Sequence, residues 1–332
     1  MNILYTFNDK FVPQVGASIC SVCENNDFMD NITFYIISSG ITDKNKKELE
    51  KLIKRYNRDI NIIELGNINN YFDFEFDTTG WPPITLARLL MDKMLPQNIK
   101  KVLYLDGDTI VRGSLKELWE NSLDNKTIGM SIEPTIDKKR IKSLDIDGYP
   151  YYNAGVIIVN LDKWRKIGAC KKIFDFYKAH DGKLFANDQD AINGALKDEI
   201  FTLSPKYNFY NIFYQYPYKF MCKLMKPLTY ISKKIYYDAV KNPVIIHYLG
   251  EERPWRKGNS HKYKNDYKKY LSKTVWRDTP DENGWEMYFI CWRIFNFTTK
   301  PFPKIRCSII NSLIPKFMQY RASQIKKEGT RK

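Results

Sequence analysis

The 332-residue sequence predicts an α/β fold, in which a sheet is flanked by helices on both faces. Two observations predict it. Short runs rich in β-branched and aromatic residues alternate with segments of helical period, and 43% of the residues are hydrophobic, which is enough for a large core. In such sheets ligands bind beyond the carboxyl ends of the strands, so polar side chains that follow the strands are the first candidates for a site.

Six short runs have the composition of strands, and the segments between them include helical patterns. The predicted strands are residues 3–7, 32–37, 60–65, 102–105, 156–160 and 244–247. The predicted helices are residues 43–56, 84–95 and 162–179. Thr42 or Asp43 is the expected cap of the first of these helices. From about Asp278 onward no strand is predicted.

Two carboxylates, Asp106 and Asp108, directly follow the predicted strand at residues 102–105. Side chains alternate along an extended backbone, so carboxylates one residue apart point roughly the same way. Such a pair can hold one hard divalent cation, and that cation can hold a diphosphate. The competing interpretation is a solvated acidic turn. The metal-site interpretation is favoured because Asn8-Asp9 and His247 stand at the ends of two other predicted strands. All three groups are therefore expected at one crevice.

The basic residues are concentrated in the last third of the chain. From Lys219 onward there are 25 Lys and Arg against nine Asp and Glu, a net charge of +16, whereas the first 218 residues hold 28 against 29. A localised basic region indicates an anionic partner, either a membrane surface or a nucleic acid.

Residues after about Asp278 mix aromatic and aliphatic side chains with basic ones. This composition favours a segment that lies at a membrane surface. The alternative is that the apolar residues cover the core and the charges are merely solvated. Pro315 is expected to kink or restart a helix in this segment.

Neither the cysteines nor the N-terminus indicates an exported protein. The six cysteines are too sparse for a disulfide framework, and Cys20 and Cys23 lie in an apolar, helix-like stretch typical of buried thiols. The chain begins with a strand pattern rather than a signal peptide, and no apolar run approaches about 20 residues, the length of a membrane-spanning helix. We therefore expect a cytoplasmic protein, peripheral on the inner face of the cell membrane.

Four blocks of sequence carry a family resemblance. They are KVLYLDGD at 101–108, YNAGV at 152–156, NDQDAING at 187–194 and HYLGEERPW at 247–255. Together and in this order they resemble glycosyltransferase family 8, which includes glycogenin and the bacterial lipopolysaccharide galactosyltransferases and glucosyltransferases. The resemblance implies a GT-A fold, a Rossmann-like mixed sheet flanked by helices. It covers residues 1–265 as the catalytic domain and leaves 266–332 as a basic, aromatic C-terminal extension.

The resemblance also implies a site. Asp106, Asp108 and His247 would hold Mn²⁺, with Mg²⁺ as the alternative cofactor, because imidazole and carboxylate oxygens suit Mn²⁺. The donor, a UDP-hexose, would be bound by Thr6, Asn8, Asp9, Lys10, Phe11, Arg88, Asp106, Gly107, Asp108, Asn153, Ala154, Asp188, Gln189, His247, Gly250 and Arg253.

Three positions depart from the family pattern or allow a second interpretation. Arg253 stands where the family usually has Lys, which keeps the charge and changes the geometry. The block at residues 6–11 departs most, and Lys10 in place of Asn weakens the expected ribose contact, although Phe11 can still stack on uracil. Arg88 matches a position near the sugar and phosphates, but it could instead be a surface arginine on a helix.

The implied reaction retains the anomeric configuration, with Gln189 nearest the anomeric carbon. An amide is a poor nucleophile, so we favour attack on the same face, with the carbonyl of Gln189 stabilising the oxocarbenium-like transition state. Asp190 would be a covalent nucleophile only if it rotated into the site; otherwise it would cap or brace the Gln189 helix.

The sequence therefore predicts transfer of galactose or glucose from a UDP-sugar to a saccharide or glycolipid acceptor of a cell-surface glycan, such as lipopolysaccharide or capsular polysaccharide. Residues 133–151 are the expected acceptor loop, in which Lys138, Lys139, Arg140 and Lys142 would face an anionic glycolipid or water. The alternatives are a nucleic-acid-binding protein and an inactive homologue. A sugar-phosphate nucleotidyltransferase is disfavoured, because residues 5–14 lack glycine. We expect no nucleic-acid partner, since no recognisable module for one appears.

Overall fold

A computed structural model describes residues 1–78, 80–225 and 231–329. Within these ranges the strands are β1 Asn2–Asn8, β2 Thr33–Ser39, β3 Asp59–Glu64, β4 Lys101–Leu105, β5 Thr109–Val111, β6 Ile128–Ile132, β7 Tyr152–Asn160, β8 Ile200–Leu203 and β9 Ile245–His247. The α-helices are α1 Val12–Asn25, α2 Asp43–Arg55, α3 Met91–Met94, α4 Lys116–Glu120, α5 Lys138–Ser143, α6 Leu161–Lys166, α7 Ala169–Ala179, α8 Asn187–Ala195, α9 Ile212–Gln215, α10 Tyr218–Leu224, α11 Lys233–Lys241, α12 Lys264–Leu271, α13 Glu286–Thr299 and α14 Pro303–Gly329.

Seven strands form one mixed sheet in the order β3-β2-β1-β4-β7-β6-β8. β7 is antiparallel to both of its neighbours, while β1 to β4 are parallel to one another and β6 is parallel to β8. Because β7 is reversed, its first residues lie at the edge where β1 and β4 end. Asn153 and Ala154 are thereby brought beside the turn that follows β4. The α/β prediction is confirmed, with a sheet of mixed direction.

The central strands, such as β4 and β7, are buried on both faces, which explains their nearly continuous apolar sequences, whereas the outer strand β3 is partly exposed. Along β1, Ile3, Tyr5 and Phe7 enter one hydrophobic cluster and Leu4 enters the other, as the period of two requires. Helices cover both faces. The site can therefore form only at an edge of the sheet.

The strand predicted at residues 244–247 is present as β9, but it does not join the main sheet. β9 pairs instead with β5 in a separate antiparallel ribbon, in which His247 lies opposite Thr109. β5, β6 and β8 were not predicted, because they are short and β6 is interrupted by Gly129 and Ser131.

Two predicted helices take a different form. Residues 84–95 are mostly a 3₁₀ helix, Pro83–Leu90, followed by the single turn of α3. Residues 162–179 are divided into α6 and α7 at Gly168, whose positive φ of 62° ends one helix and starts the next.

The C-terminal helices continue from a segment that packs on the sheet domain. The Tyr270 hydroxyl accepts a hydrogen bond from Asn25 of α1, and the Trp276 indole donates one to Asn45 of α2. Of the two effects expected at Pro315, a restarted helix is not seen, since α14 runs through this residue; a kink stays a prediction, because a proline inside a helix removes one hydrogen bond and commonly bends the helix. None of the described helices is both long and apolar enough to cross a bilayer.

Candidate active site

A cavity opens at the carboxyl edge of β1 and β4. Its walls come from the ends of these strands, the start of β7, the first turn of α8, the 3₁₀ helix and the segment after β9. The lining residues are Thr6, Phe7, Asn8, Phe11, Trp81, Pro82, Ile84, Thr85, Arg88, Tyr104, Asp106, Gly107, Asp108, Glu133, Asn153, Ala154, Gly155, Ala186, Asn187, Asp188, Gln189, His247, Leu249, Gly250 and Arg253. Most of the predicted site residues are thus brought together.

Asp106, Asp108 and His247 form a group whose ligand atoms all lie within 4.8 Å of one another. The pairing of β5 with β9 creates this group, because it sets His247 beside the residue that follows Asp108. The His247 Nε2 atom is 3.3 Å from Asp108 Oδ1 and 3.8 Å from Asp106 Oδ2. Two carboxylates and one imidazole nitrogen are a donor set that suits Mn²⁺ or another divalent cation.

The imidazole of His247 is held with one nitrogen turned toward the carboxylates. Its Nδ1 donates to the Asn208 side-chain oxygen at 2.9 Å, which leaves Nε2 as the ligand atom. Gly155 makes this position possible, because a Cβ atom there would stand 2.2 Å from His247 Cε1 and 3.0 Å from Asp106 Oδ2. Asn208 also donates to Asn153 at 2.8 Å, so a buried amide joins the histidine to the opposite wall.

The charges of this group shift one another. Burial opposes ionisation of Asp108, yet His247 and Arg253 together lower the pKa of this carboxyl below its ordinary value. Burial likewise opposes charging of His247, and Asp108 raises the pKa of the imidazole above its usual value. The two carboxylates therefore attract positive charge strongly, which a divalent cation would supply in place of the proton.

Arg88 is buried and bridges two acidic residues, which contradicts its interpretation as a surface arginine. Its Nη2 lies 3.0 Å from Asp106 Oδ1, its Nε lies 2.9 Å from Asp188 Oδ2, and its Nη1 donates to the Ala154 carbonyl at 2.7 Å. The guanidinium also lies over the Tyr104 ring. Even with this partner, burial raises the pKa of Asp188 to about 6.

Gln189 lies at the cavity wall, in the first turn of α8. Its Oε1 accepts a hydrogen bond from the Ala154 backbone at 2.9 Å, and its Nε2 donates to the Tyr151 hydroxyl at 2.9 Å. Asp190 points away from the cavity into a buried cluster, where it pairs with Arg140 at 2.6 Å and accepts from the Ala186 backbone N–H at 2.8 Å. The second contact caps the start of α8, the bracing role that the sequence left open.

The side of the cavity next to β9 carries Gly250 and Arg253. Gly250 has a φ of +76°, a conformation that favours glycine, and no atom lies within 4 Å of the place where its Cβ would be. Arg253 Nη2 is 3.4 Å from Asp108 Oδ2, and its guanidinium lies over the ring of Phe11. The arginine is therefore near the metal group and near the aromatic ring at once.

Only part of the block at residues 6–11 lies at the cavity. Thr6, Asn8 and Phe11 line the cavity, whereas Asp9 and Lys10 are absent from its described lining. Asp9 Oδ1 instead accepts hydrogen bonds from Thr42 and Asn45, at the start of α2, and Lys10 is exposed.

Sequence reasoning missed Asn208, and it placed Glu133 and Tyr151 only at the ends of the expected acceptor loop. Glu133 lines the cavity and accepts from the Asn153 side chain at 2.9 Å. It follows β6, so recognition of that strand would have marked it as a polar residue at a strand end. Asn208 and Tyr151 carry no local signal, since their role arises from contacts with residues far away in the sequence. Arg140, expected to face an anionic acceptor or water, turns inward to Asp190.

The mixed sheet and the cavity at its carboxyl edge are the features expected of an enzyme with the GT-A fold. The sequence model of glycosyl transferase family 8 matches residues 2–258, and the chain belongs to this family.

Relatives and solved structures agree with this membership. General stress protein A of Bacillus subtilis is 28% identical over 280 residues, 83% of this chain and 94% of that protein. The lipopolysaccharide 1,2-glucosyltransferase of Escherichia coli K12 is 25% identical over 282 residues, 84% of this chain and 79% of that protein. The crystal structure of the galactosyltransferase LgtC with donor and acceptor sugar analogs superposes with a TM-score of 0.71 at 23% identity, covering 86% of this chain and 99% of that one.

Proposed function

We propose that this protein transfers galactose or glucose from a UDP-sugar to a saccharide acceptor of a cell-surface glycan, with retention of the anomeric configuration. The observation that carries the proposal is the convergence, in one cavity, of the acidic and histidine group with Arg88, Asp188 and Gln189. Contacts within the protein hold these opposing charges in fixed positions, which is the arrangement expected where charge develops during a reaction.

Asp106, Asp108 and His247 would hold the metal, for which Mn²⁺ is the first choice and Mg²⁺ the alternative. When bound, the ion would neutralise the charge of the leaving diphosphate as a Lewis acid. Arg253 would add a fixed positive charge on the same side, since it lies 3.4 Å from Asp108.

The uridine would lie on the side of Phe11, whose ring offers an apolar face for the base. Asn8 and Thr6 line the same part of the cavity and offer hydrogen bonds to the nucleoside. For Asp9 we propose an indirect role: its hydrogen bonds from Thr42 and Asn45 at the start of α2 fix the backbone beside Asn8, and a direct contact of Lys10 with the donor stays a prediction.

The sugar would be held between Asn153, Ala154 and Asp188, with Gln189 at the reacting carbon. In this arrangement the acceptor hydroxyl attacks from the face that the diphosphate leaves, and its proton passes to the departing diphosphate oxygen. The Gln189 carbonyl stabilises the positive charge that develops on the sugar. The ion pair of Asp190 with Arg140 supports the bracing role for Asp190 and disfavours its use as a nucleophile.

The acceptor is proposed from the names of the relatives and from the C-terminal helices. Relatives named for lipopolysaccharide glucosyltransferase and galactosyltransferase activities support a glycan at the cell surface. Glu133 and Trp81, at the cavity wall, offer a hydrogen-bonding group and an apolar ring to a sugar.

We propose further that α13 and α14, the C-terminal helix pair, rest on the anionic inner face of the cell membrane. Their exposed apolar side chains recur at helical spacing: Met287, Ile290, Ile294 and Phe297 on α13, and Ile305, Ile309 and Leu313 on α14. The neighbouring basic residues Arg293, Lys300, Lys304 and Lys316 are exposed as well. Apolar stripes beside lysines and arginines favour an interfacial position.

Donor hydrolysis tests the catalytic proposal. Purified protein would be incubated with UDP-, GDP- and CMP-sugars, once with Mn²⁺ and once with EDTA. Release of UDP from one sugar, abolished by EDTA, is the expected result. Release that continues in EDTA would contradict the metal assignment. If no sugar is hydrolysed, titration with UDP separates an enzyme that requires its acceptor from one that does not bind uridine.

A further inference from the structure

The side-chain amide of Gln189 is held by a hydrogen-bond pattern that permits one orientation. Its oxygen accepts from the Ala154 N–H, and its nitrogen donates to the hydroxyl of Tyr151, both at 2.9 Å. The two contacts have opposite polarity, so the orientation depends on what Tyr151 does with its own proton.

Tyr151 has its proton committed elsewhere. The hydroxyl donates to Asp190 Oδ1 at 2.7 Å, and an ionised carboxylate can only accept. The lone pairs of the phenol oxygen are therefore left for donors, which are Gln189 and the guanidinium of Arg140. If the Gln189 amide were flipped, its oxygen would face the Tyr151 hydroxyl oxygen, whose proton is already donated to Asp190. Its NH₂ group would face the Ala154 N–H, so two donors would meet.

The chain of contacts begins with a buried charge pair. Arg140 donates to Asp190 Oδ1 at 2.6 Å through Nη2 and at 3.0 Å through Nε, and these two charge-assisted bonds hold the carboxyl group in place. Asp190 and Tyr151 are 1% and 2% exposed, and hydrogen bonds in so dry a place are stronger than in water. Burial also raises the pKa of Tyr151 well above its ordinary value, so the phenol keeps its proton.

We propose that Tyr151 is a positioning residue that, held by Asp190 and Arg140, fixes the amide of Gln189 with its carbonyl oxygen on the Ala154 side of the cavity. The inference rests on the proposed function, in which that oxygen faces the reacting carbon. The positioning role of Tyr151 also gives residues 133–151, the expected acceptor loop, a second function. Arg140 lies on α5 of this segment, so the position of α5 is transmitted to the catalytic amide.

Tyr151→Phe tests the proposal, because it removes the hydroxyl and keeps the ring. With the UDP-sugar that the wild-type enzyme hydrolyses, kcat should fall by about 10- to 100-fold, the usual cost of a misplaced catalytic group, while the KM for the donor changes less than about threefold. Tyr236→Phe is the matched control, since Tyr236 is equally buried and its hydroxyl bonds two backbone carbonyls away from the cavity. The control should keep wild-type kcat.

A double-mutant cycle separates positioning through Gln189 from a general structural effect. In the Gln189→Ala background, Tyr151→Phe should lower turnover no further. An equal loss in both backgrounds, or a loss confined to KM, would overturn the proposal. If turnover of Gln189→Ala is too slow to measure, the kcat and KM of Tyr151→Phe are compared with those of Tyr236→Phe. A lower kcat at nearly unchanged KM, seen only in Tyr151→Phe, then supports the proposal.

Two further measurements distinguish a failure of the positioning role from a misfolded variant and from a failure of the proposed function. If Tyr151→Phe does not fold, as judged by circular dichroism and Tm, Arg140→Lys replaces it: lysine keeps the charge but cannot make the same set of bonds, and unchanged kcat would overturn the inference. A wild-type enzyme that hydrolyses no nucleotide sugar and binds no UDP would refute the proposed function itself. Turnover by the wild type with an unaffected Tyr151→Phe refutes the positioning role alone.

Discussion

The cavity and the C-terminal helix pair place charge and apolar surface in opposite ways. In the cavity, charges are buried and paired, as Arg88 is with Asp106 and Asp188. On the helix pair the basic side chains of Arg293, Lys300, Lys304 and Lys316 are exposed, and so are apolar side chains such as Phe297, which is 85% exposed.

The difference shows that the charged groups of the cavity find their partners within the protein, whereas the apolar surface of the helix pair does not find one among the described residues. Buried charges must be compensated on the spot, so each charged residue of the cavity depends on its neighbours, and removal of one leaves another unpaired. The exposed apolar stripes lack a partner within the described residues, and their removal should cost the fold little. Substitutions in the cavity should therefore affect catalysis, and those on the helix pair should affect only where the enzyme is found.

The largest expected effect is at the metal group. Asp108→Ala should lower donor turnover by about 1,000-fold or more, because it removes a ligand of an ion worth several kcal/mol to the transition state. The variant should remain folded, as judged by circular dichroism. Asp59→Ala, at an exposed carboxylate on the outer strand β3, is the control and should leave turnover unchanged. Near-normal activity of Asp108→Ala, or of the wild type in EDTA, would remove the metal from the proposal.

The next effect in size is at Gln189. Gln189→Ala should lower kcat by about 100-fold, as the loss of a group that stabilises developing charge commonly does, and should change donor affinity much less. Steady-state kinetics together with a UDP-sugar binding titration would measure both quantities. If affinity falls and kcat stays, Gln189 is a binding residue only.

A steric change at Gly155 should act on the metal through His247. A methyl group would stand 2.2 Å from the imidazole, so Gly155→Ala must displace it. We expect Mn²⁺ affinity to fall by about 10- to 100-fold, as when the support of a metal ligand is lost, measurable by titration followed by EPR. Gly113→Ala is the matched control, because its Cβ would meet only Val244 side-chain atoms at 3.9 Å. Equal affinities in the two variants would mean that His247 does not bind the metal.

The smallest effect on catalysis, and the sharpest contrast, is expected on the helix pair. Replacement of Ile294 and Phe297 by Ser should weaken binding to anionic vesicles by about tenfold or more, since each buried apolar side chain contributes on the order of 2 kcal/mol. Donor hydrolysis in solution should remain unchanged. Sedimentation with vesicles of phosphatidylglycerol and phosphatidylcholine would measure the binding.

Point substitutions are preferable here to truncation after Asp278. Truncation would also remove Glu282 and Trp285, which contact Arg256 next to the segment that carries Gly250 and Arg253. Undiminished vesicle binding by the double variant would contradict the membrane proposal, and a loss of hydrolysis in solution would contradict the separation of the two regions. The boundary after residue 265 stays a prediction.

The sequence alone determined the fold class and most of the cavity. Strand periodicity and the carboxylates after residues 102–105 are local signals, and the four blocks lie in an order that identifies the family. Because the carboxyl ends of parallel strands share one edge, Asn8 and Asp106 could be placed together without coordinates.

Tertiary structure decided the rest, for reasons that no local pattern contains. Long-range pairing of β5 with β9 brings His247 to Asp108. Burial pairs Arg140, which was expected to face an acceptor or water, with Asp190, and it pairs Arg88, a predicted donor-binding residue, with Asp106 and Asp188. Asp9, expected to bind the donor, accepts hydrogen bonds from Thr42 and Asn45 at the start of α2 and is absent from the described lining of the cavity. A sequence records which charges are present, but which of them lose water and must pair is decided only when distant segments pack together.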